Sequence, residues 1–236
     1  FISPEPVVHE IEAAHAEWIG KADGLIYIET QYFRNRRMAR RLARAARERP
    51  DLRMILILPA APDDVAFEGA TGLDARLGEF LQAKCLRILR RGFGRRLFVG
   101  GAAQPRRTRA RGRAQLKGAP MIYIHAKVSI FDDHSAIVSS ANLNGRSLRW
   151  DTEAGVVLTW PEEVVRLRQR LLGHWLPEGA GADFFDPERA VQACWGLASR
   201  NAKLPPDRRR GFLLPYDLKS AEDFGRAFPL LPDEMV

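Results

Sequence analysis

Hydrophobic positions along the chain fall into blocks of two different periods. From Glu5 to about Lys21 the apolar residues Val8, Ile11, Ala14, Ala16, Trp18 and Ile19 recur at helical spacing, and Ala22-Asp23-Gly24 breaks the pattern. Leu25-Ile26-Tyr27-Ile28 then runs unbroken like a buried strand and ends in Glu29, Thr30 and Gln31. A helix over about Arg34–Arg49 follows, stopped by Pro50, and Leu52–Leu58 is a second strand ended by Pro59. Leu73–Arg90 fits a helix with Leu77, Phe80, Leu81, Leu86 and Ile88 on its buried side, and Arg96–Val99 is a short strand. Strands alternating with helices predict an α/β fold, a mixed, largely parallel β-sheet flanked by helices.

The second half has a different rhythm. Pro105–Pro120 is a basic, glycine-containing loop, and three extended segments follow it: Met121–Phe131, Ser135–Ser139 and Gly155–Thr159. Glu162–Trp175 and Pro187–Asn201 are helical in pattern, and prolines at 205, 206, 215, 229 and 232 mark an extended tail. We expect residues 1–176 to form one catalytic unit, with 177–236 as a helix and proline-rich tail packed on the same domain.

Within Ile122-Tyr-Ile-His-Ala-Lys-Val-Ser-Ile-Phe-Asp132, period-two alternation puts Ile122, Ile124, Ala126, Val128 and Ile130 on one face. Tyr123, His125, Lys127 and Ser129 fall on the other, with His125 and Lys127 roughly 7 Å apart along the strand. Asp133-His134 makes a tight turn, so Ser135–Ser139 returns and brings Ser140 and Asn142 level with His125, while Glu153 opens the next strand. These residue types suit phosphoryl chemistry. A histidine can act as nucleophile or general acid near neutral pH, and a neighbouring lysine offers fixed positive charge to phosphate oxygens. Ser140 and Asn142 can donate hydrogen bonds to those oxygens, and a carboxylate such as Glu153 can fix the histidine tautomer. Polar residues at the end of a buried strand, Glu29 and Gln31, are candidates to line the same site. His9, His15 and His174 lie on helices without evident partners, and His134 reads as a turn residue.

Composition narrows the classes further. Cys85 and Cys194 are far apart and make no zinc spacing or disulfide framework, and the five histidines do not cluster, so no metal or other cofactor is expected. No stretch approaches the roughly 18 apolar residues of a membrane span, which suggests a soluble or peripheral protein and leaves the compartment open. There is no Gly-x-Ser-x-Gly and no Walker A pattern, and Gly92-Phe-Gly94 lacks the third glycine of a dinucleotide loop. The formal charge is +8, and it is concentrated: residues 34–49 hold eight arginines against Glu48, and residues 106–117 hold five arginines and a lysine with no acid. Such surfaces favour polyanions, whether a phospholipid face, nucleic acid or phosphorylated small molecules.

His125-x-Lys127-x4-Asp132 followed by Ser140-x-Asn142 resembles the HKD motif of the phospholipase D superfamily. Five fixed positions at roughly one in twenty each match by chance about once in three million starts. Arg146-Ser147 and Glu153 fall where that family carries Arg-Ser and an acid, and Ile28–Phe33 resembles the element preceding the second motif of its two-motif members. Ser139 stands where the pattern has glycine. The resemblance covers about residues 5–160 and implies a phosphodiesterase working through phosphohistidine without a metal, on phospholipid head groups at a membrane surface. It implies His125 as general acid, Lys127 and Asn142 as phosphate holders assisted by Ser140, Glu153 as the residue orienting His125, and Asp132 as catalytic or as a strand anchor. With one motif in the chain, the other is expected from an upstream N-terminal half or from a second copy in a homodimer. Alternative expectations are a cardiolipin synthase-like phosphatidyltransferase and a metal-independent phosphodiesterase of nucleic acid.

Overall fold

The computed structural model describes residues 8–228. α1 (Glu10–Lys21), β1 (Leu25–Thr30), α2 (Arg36–Glu48), β2 (Arg53–Ile57), α3 (Leu73–Phe93) and β3 (Leu97–Ala102) alternate as the periodicity predicts. β4 (Gln115–Leu116) and β5 (Ala119–Pro120) form a small ladder within the basic loop. Then come β6 (Lys127–Phe131), β7 (Ser135–Ser139), α4 (Gly145–Arg149), β8 (Gly155–Leu158), α5 (Pro161–Trp175), α6 (Ala190–Lys203), β9 (Leu213–Pro215) and α7 (Leu218–Phe224). The predicted start of α1 at Glu5 and the prolines at 229 and 232 lie outside the described residues.

One sheet runs β8-β7-β6-β1-β2-β3-β9. It is mixed, as expected, but not largely parallel: the parallel pairings are confined to β1–β2 and β2–β3, and the four others are antiparallel because β6, β7, β8 and β9 are added through hairpins and edge strands rather than helical crossovers. The central strands are apolar on both faces because both are covered. Ile26, Ile28, Met54 and Leu56 face α1, α2 and α3, whereas Leu25, Tyr27, Ile55, Phe98 and Ile130 face α5 and α6. α2 and α3 approach so closely that a Cβ on Gly92 would lie 2.6 Å from the Ala43 Cα, which accounts for the glycine there.

Beyond residue 176 the chain is more regular than an extended tail. α6 packs on β3, β9 joins the sheet edge beside β3, and α7 lies on α3. The long extended segment predicted from Met121 forms a ladder only from Lys127, since its partner β1 ends at Thr30. The predicted faces survive nonetheless: Ile124, Val128 and Ile130 are in the α5–α6 core, and Ser129 points the other way. There it is buried and meets His15 Nε2 at 3.0 Å, so His15 does have a partner. His174 has company too, stacked on Phe212 and edge-on to Trp175.

Several arginines of the basic segments are structural. Arg49 donates to the carbonyls of Ile19, Gly20 and Ala22, tying the end of α2 to the end of α1. Arg113 holds the basic loop down through Ala60 O, Ser220 O and the buried carboxylate of Glu79.

Candidate active site

Antiparallel pairing brings the start of β6 to the same sheet edge as the ends of β1 and β7. Lys127 pairs with Thr30 in register, so its side chain emerges beside Gln31, the first residue past β1. The loops after β1 and β7 are stitched together, with the N–H groups of Arg34 and Asn35 both donating to Leu143 O at 2.8 and 2.9 Å. Asn35 and Asn144 then cap α2 and α4 through Met38 N and Ser147 N. Both loops are thereby held at helix starts, and Asn142 is placed opposite Gln31.

Gln31 is the centre of the arrangement. Its Oε1 accepts from Lys127 Nζ at 3.1 Å and from Asn142 Nδ2 at 3.2 Å. Its Nε2 donates to the hydroxyls of Tyr32 and Tyr123, which orients the amide so that its oxygen faces the lysine. The Tyr32 hydroxyl in turn donates a hydrogen bond to Asp63 Oδ1 at 3.1 Å. Burial pushes both phenols above their ordinary values, so they stay protonated.

Lys127 Nζ also lies 3.1 Å from His125 Nε2 and donates to His125 O at 2.9 Å. An ammonium can only donate, so Nε2 is the acceptor and the ring proton of neutral His125 sits on Nδ1. Burial draws the lysine below its usual value, with the Glu153 charge opposing. His125 is exposed and stands at the mouth of a cleft of about 430 Å³. Lys127, Ser139 and Ser140 form its polar wall; Val138, Leu167 and Leu171 form the apolar one. The buried Oδ1 of Asn142 has no hydrogen-bond partner.

The remaining predicted site residues divide. Ser140 is in the cleft, and its hydroxyl donates to Glu153 and accepts from Ala154 N at 3.0 Å. Glu153 is thus bonded to Ser140 rather than to His125. Asp132 is away from the cleft, past the opposite end of β6. Its backbone is left-handed, with φ of 53°, and its carboxylate accepts from the N–H groups of Asp23, Gly24 and Leu25 at 3.0, 2.9 and 2.8 Å. It anchors the strand and touches none of the cleft residues. Glu29 does not line the site either. It is turned into the α5–α6 core, bonded by Tyr27 OH and by Trp175 Nε1 at 2.8 Å, and burial raises its carboxyl above the usual range. Period two places residues 29 and 31 on one face, but β1 ends between them and the chain turns at Gln31.

Tyr32, Tyr123 and Asp63 join the site through hydrogen bonds that no motif in the sequence announces. Tyr123 shares the alternating face of His125 and Lys127, and Tyr32 adjoins Gln31; those positions were the available signals. Among the described residues no group of three or more His, Cys, Asp or Glu side chains is placed to hold a metal ion. No helix among them is long and apolar enough to cross a membrane.

Fold and site together define an α/β domain that gathers an imidazole, an ammonium, an amide pair and a hydroxyl at one sheet edge, a set suited to phosphate esters. The family described as "Cardiolipin synthase, PLD-like domain" matches residues 16–175. Phospholipase D zeta 1 of Arabidopsis thaliana is 30% identical over 182 residues, covering 64% of this chain and 16% of that protein. Phospholipase D1 of Mus musculus is 28% identical over 192 residues, covering 67% and 17% respectively. Among solved structures, NucT from Helicobacter pylori is similar over 68% of this chain and 84% of that one, at 13% identity and a TM-score of 0.48. The chain belongs to the phospholipase D-like superfamily of phosphodiesterases. It spans about a sixth of the length of the two curated relatives.

Proposed function

We propose that this protein is a phospholipase D-type enzyme that hydrolyses or exchanges phospholipid head groups, with the present chain supplying one half of the active site. The convergence of Lys127 Nζ and Asn142 Nδ2 on a single oxygen beside His125 carries the proposal. Two donors pinned 3.1 and 3.2 Å from one amide oxygen are preorganised for the oxygens of a phosphodiester. The apolar wall of Val138, Leu167 and Leu171 suits the lipid side of such a substrate.

An imidazole nitrogen of the complementary half attacks phosphorus. As the P–N bond forms, the P–O bond to the head-group alcohol breaks, and its electron pair leaves on oxygen. Once Lys127 has moved to the phosphate, His125 takes up a proton from solvent at Nε2 and gives it to that oxygen. Water or a second alcohol then attacks phosphorus and hands its proton back to His125 Nε2, while the P–N electron pair returns to the other imidazole. Lys127 must leave Nε2 for this cycle to run, and the phosphate supplies the reason: an anionic oxygen is a stronger acceptor for an ammonium than a neutral ring nitrogen. Glu153 acts through Ser140 and through its charge on Lys127.

The complementary half is either an upstream segment of a longer chain or a second copy. The surface beside the cleft supports the idea. Val138 and Val156 face each other across β7–β8 in the open, and Trp160 is 66% exposed just past the edge strand. An exposed apolar sheet edge of this kind is one that proteins ordinarily cover.

Phosphatidylcholine vesicles with a primary alcohol and EDTA test the proposal, using the chain with its complementary half present. Phosphatidyl-alcohol should accumulate, and His125→Asn should abolish it; undiminished product from that variant would overturn the assignment. A second reading, cleavage of nucleic-acid phosphodiesters, is favoured by the exposed Arg106, Arg107, Arg109 and Arg111. It requires oligonucleotide cleavage that weakens steeply with salt.

A further inference from the structure

A side-chain amide presents an oxygen and an NH2 of nearly equal size, so its pocket must choose between two flipped states. At Gln31 that choice decides the chemistry. With Oε1 toward Lys127 and Asn142, both donors are satisfied at 3.1 and 3.2 Å. Flipped, the NH2 would face an ammonium and a second NH2. Lys127 enforces the first state at rest, but it turns to the phosphate when substrate binds. What then holds the amide must lie on its Nε2 side.

Two phenols accept from Nε2 there, Tyr32 at 3.1 Å and Tyr123. A phenol donates as readily as it accepts, so neither fixes the amide by itself. Asp63 removes the ambiguity. Its Oδ1 accepts from the Tyr32 hydroxyl at 3.1 Å, and its carboxylate draws on the Tyr123 hydroxyl as well. Partial burial favours the acid form, but the hydrogen bonds from both phenols outweigh it and hold the carboxyl below its usual value. Asp63 is therefore ionised at neutral pH and can only accept. With their protons committed to it, both phenols turn lone pairs to Gln31.

The rings themselves are held by other contacts. The Arg34 guanidinium lies over the Tyr32 ring at 4.0 Å, Thr30 Oγ1 donates to Tyr32 O at 3.0 Å, and Phe67 meets Tyr123 edge-on with centroids 6.1 Å apart. Asp63 thus governs where the hydroxyl protons point more than where the rings sit. It stands at the N-cap position of the short turn Asp64–Glu68 and makes no side-chain cap bond to it, which leaves the carboxylate to the phenols.

We propose that Asp63 is a positioning residue that acts through Tyr32 and Tyr123 to hold the Gln31 amide oxygen toward Lys127 and Asn142, keeping the two phosphate donors converged. This role rests on the phosphodiester reading of the site given above. It makes a prediction of unusual sign. Removing a carboxylate near an anion site should, by charge alone, strengthen anion binding. A loss on removal reports orientation.

The test is a double-mutant cycle of Asp63→Ala with Gln31→Leu, read by titration of the chain with inorganic phosphate and by phosphatidyl transfer with the complementary half present. Asp63→Ala alone should weaken phosphate binding about tenfold and lower the turnover number about tenfold, more than KM rises. Tyr32→Phe, which breaks the same link, should do likewise. In Gln31→Leu there is no amide to orient, and Asp63→Ala should add about twofold or less. Since Asp63 is exposed, its urea midpoint should stay close to that of the unaltered chain. Phosphate binding that is absent, that Asp63→Ala leaves unchanged or strengthens, or that falls equally in both backgrounds overturns the proposal. The two readings fail separately. Coupling in phosphate binding without any phosphatidyl transfer strikes the catalytic reading and leaves Asp63 its role; transfer without coupling strikes the role of Asp63 alone.

Discussion

At the Lys127 end of β6, side chains meet side chains around a partly open cleft; at the Phe131 end, one carboxylate meets three backbone N–H groups. Both ends belong to one short motif, and the strand between them separates its members by roughly 20 Å at about 3.3 Å per residue. The difference shows that a motif can span two duties. Lys127 Nζ is shared among Gln31 Oε1, His125 Nε2 and His125 O beside an exposed ring, whereas all three donors to Asp132 are backbone N–H groups. The strand keeps them apart, so the anchor fixes where β6 lies without touching the cleft residues.

Four measurements would break or sharpen that contrast. The largest effect is expected at His125: His125→Asn should cost about a thousandfold or more in phosphatidyl transfer by the assembled enzyme, with little change in urea midpoint because the ring is exposed. Asp132→Ala should do the opposite. It strips three backbone donors of their acceptor and puts a Cβ residue without a side-chain oxygen at positive φ, so about 3 kcal/mol of unfolding free energy should be lost. Turnover per folded molecule should hold; a loss of turnover without a loss of stability would place Asp132 in the chemistry after all.

Gln31→Leu comes next. Removing the shared acceptor lets Lys127 and Asn142 drift, and the turnover number should fall by about tenfold to a hundredfold, more than KM rises. The smallest effect lies midway along β6. Burial lowers the pKa of His15, which rests on Ser129, so the unfolded chain binds more protons than the folded one just below the ordinary histidine value of 6.5. Stability should therefore be full above about pH 6.5 and decline as the pH falls through that value. His15→Gln should flatten that part of the curve; an unchanged slope would remove His15 from the account.

Much of this architecture could be read from the chain. The order of helices and strands through Val99 follows from periodicity, and so do the faces of Ile124, Val128 and Ile130. Where reading failed, the cause was a strand end or a long-range partner. Glu29 and Gln31 share a parity that would put them on one face, but the ladder stops at Thr30 and the next residue turns. Residues 121–126 alternate like a strand yet make only an isolated bridge, Met121 to Ala103, because β1 ends at Thr30 opposite Lys127. Tyr123 and Tyr32 orient Gln31 from two different segments, and Ser140 intercepts Glu153 before it reaches His125. No spacing along a chain announces a hydrogen bond of that kind.

The basic loop with exposed Arg106, Arg107, Arg109 and Arg111 invites a trypsin-like protease. A cut there leaves β1–β3 in one fragment and β6–β9 in the other, yet β6 is laddered to β1 and β9 to β3. Arg113 of the second fragment still grips Ala60 O and Glu79 of the first. Neither piece can leave without opening a shared sheet at two places. The nicked protein should migrate as one particle under native conditions, and two separately expressed fragments divided at that loop should recombine into the same fold.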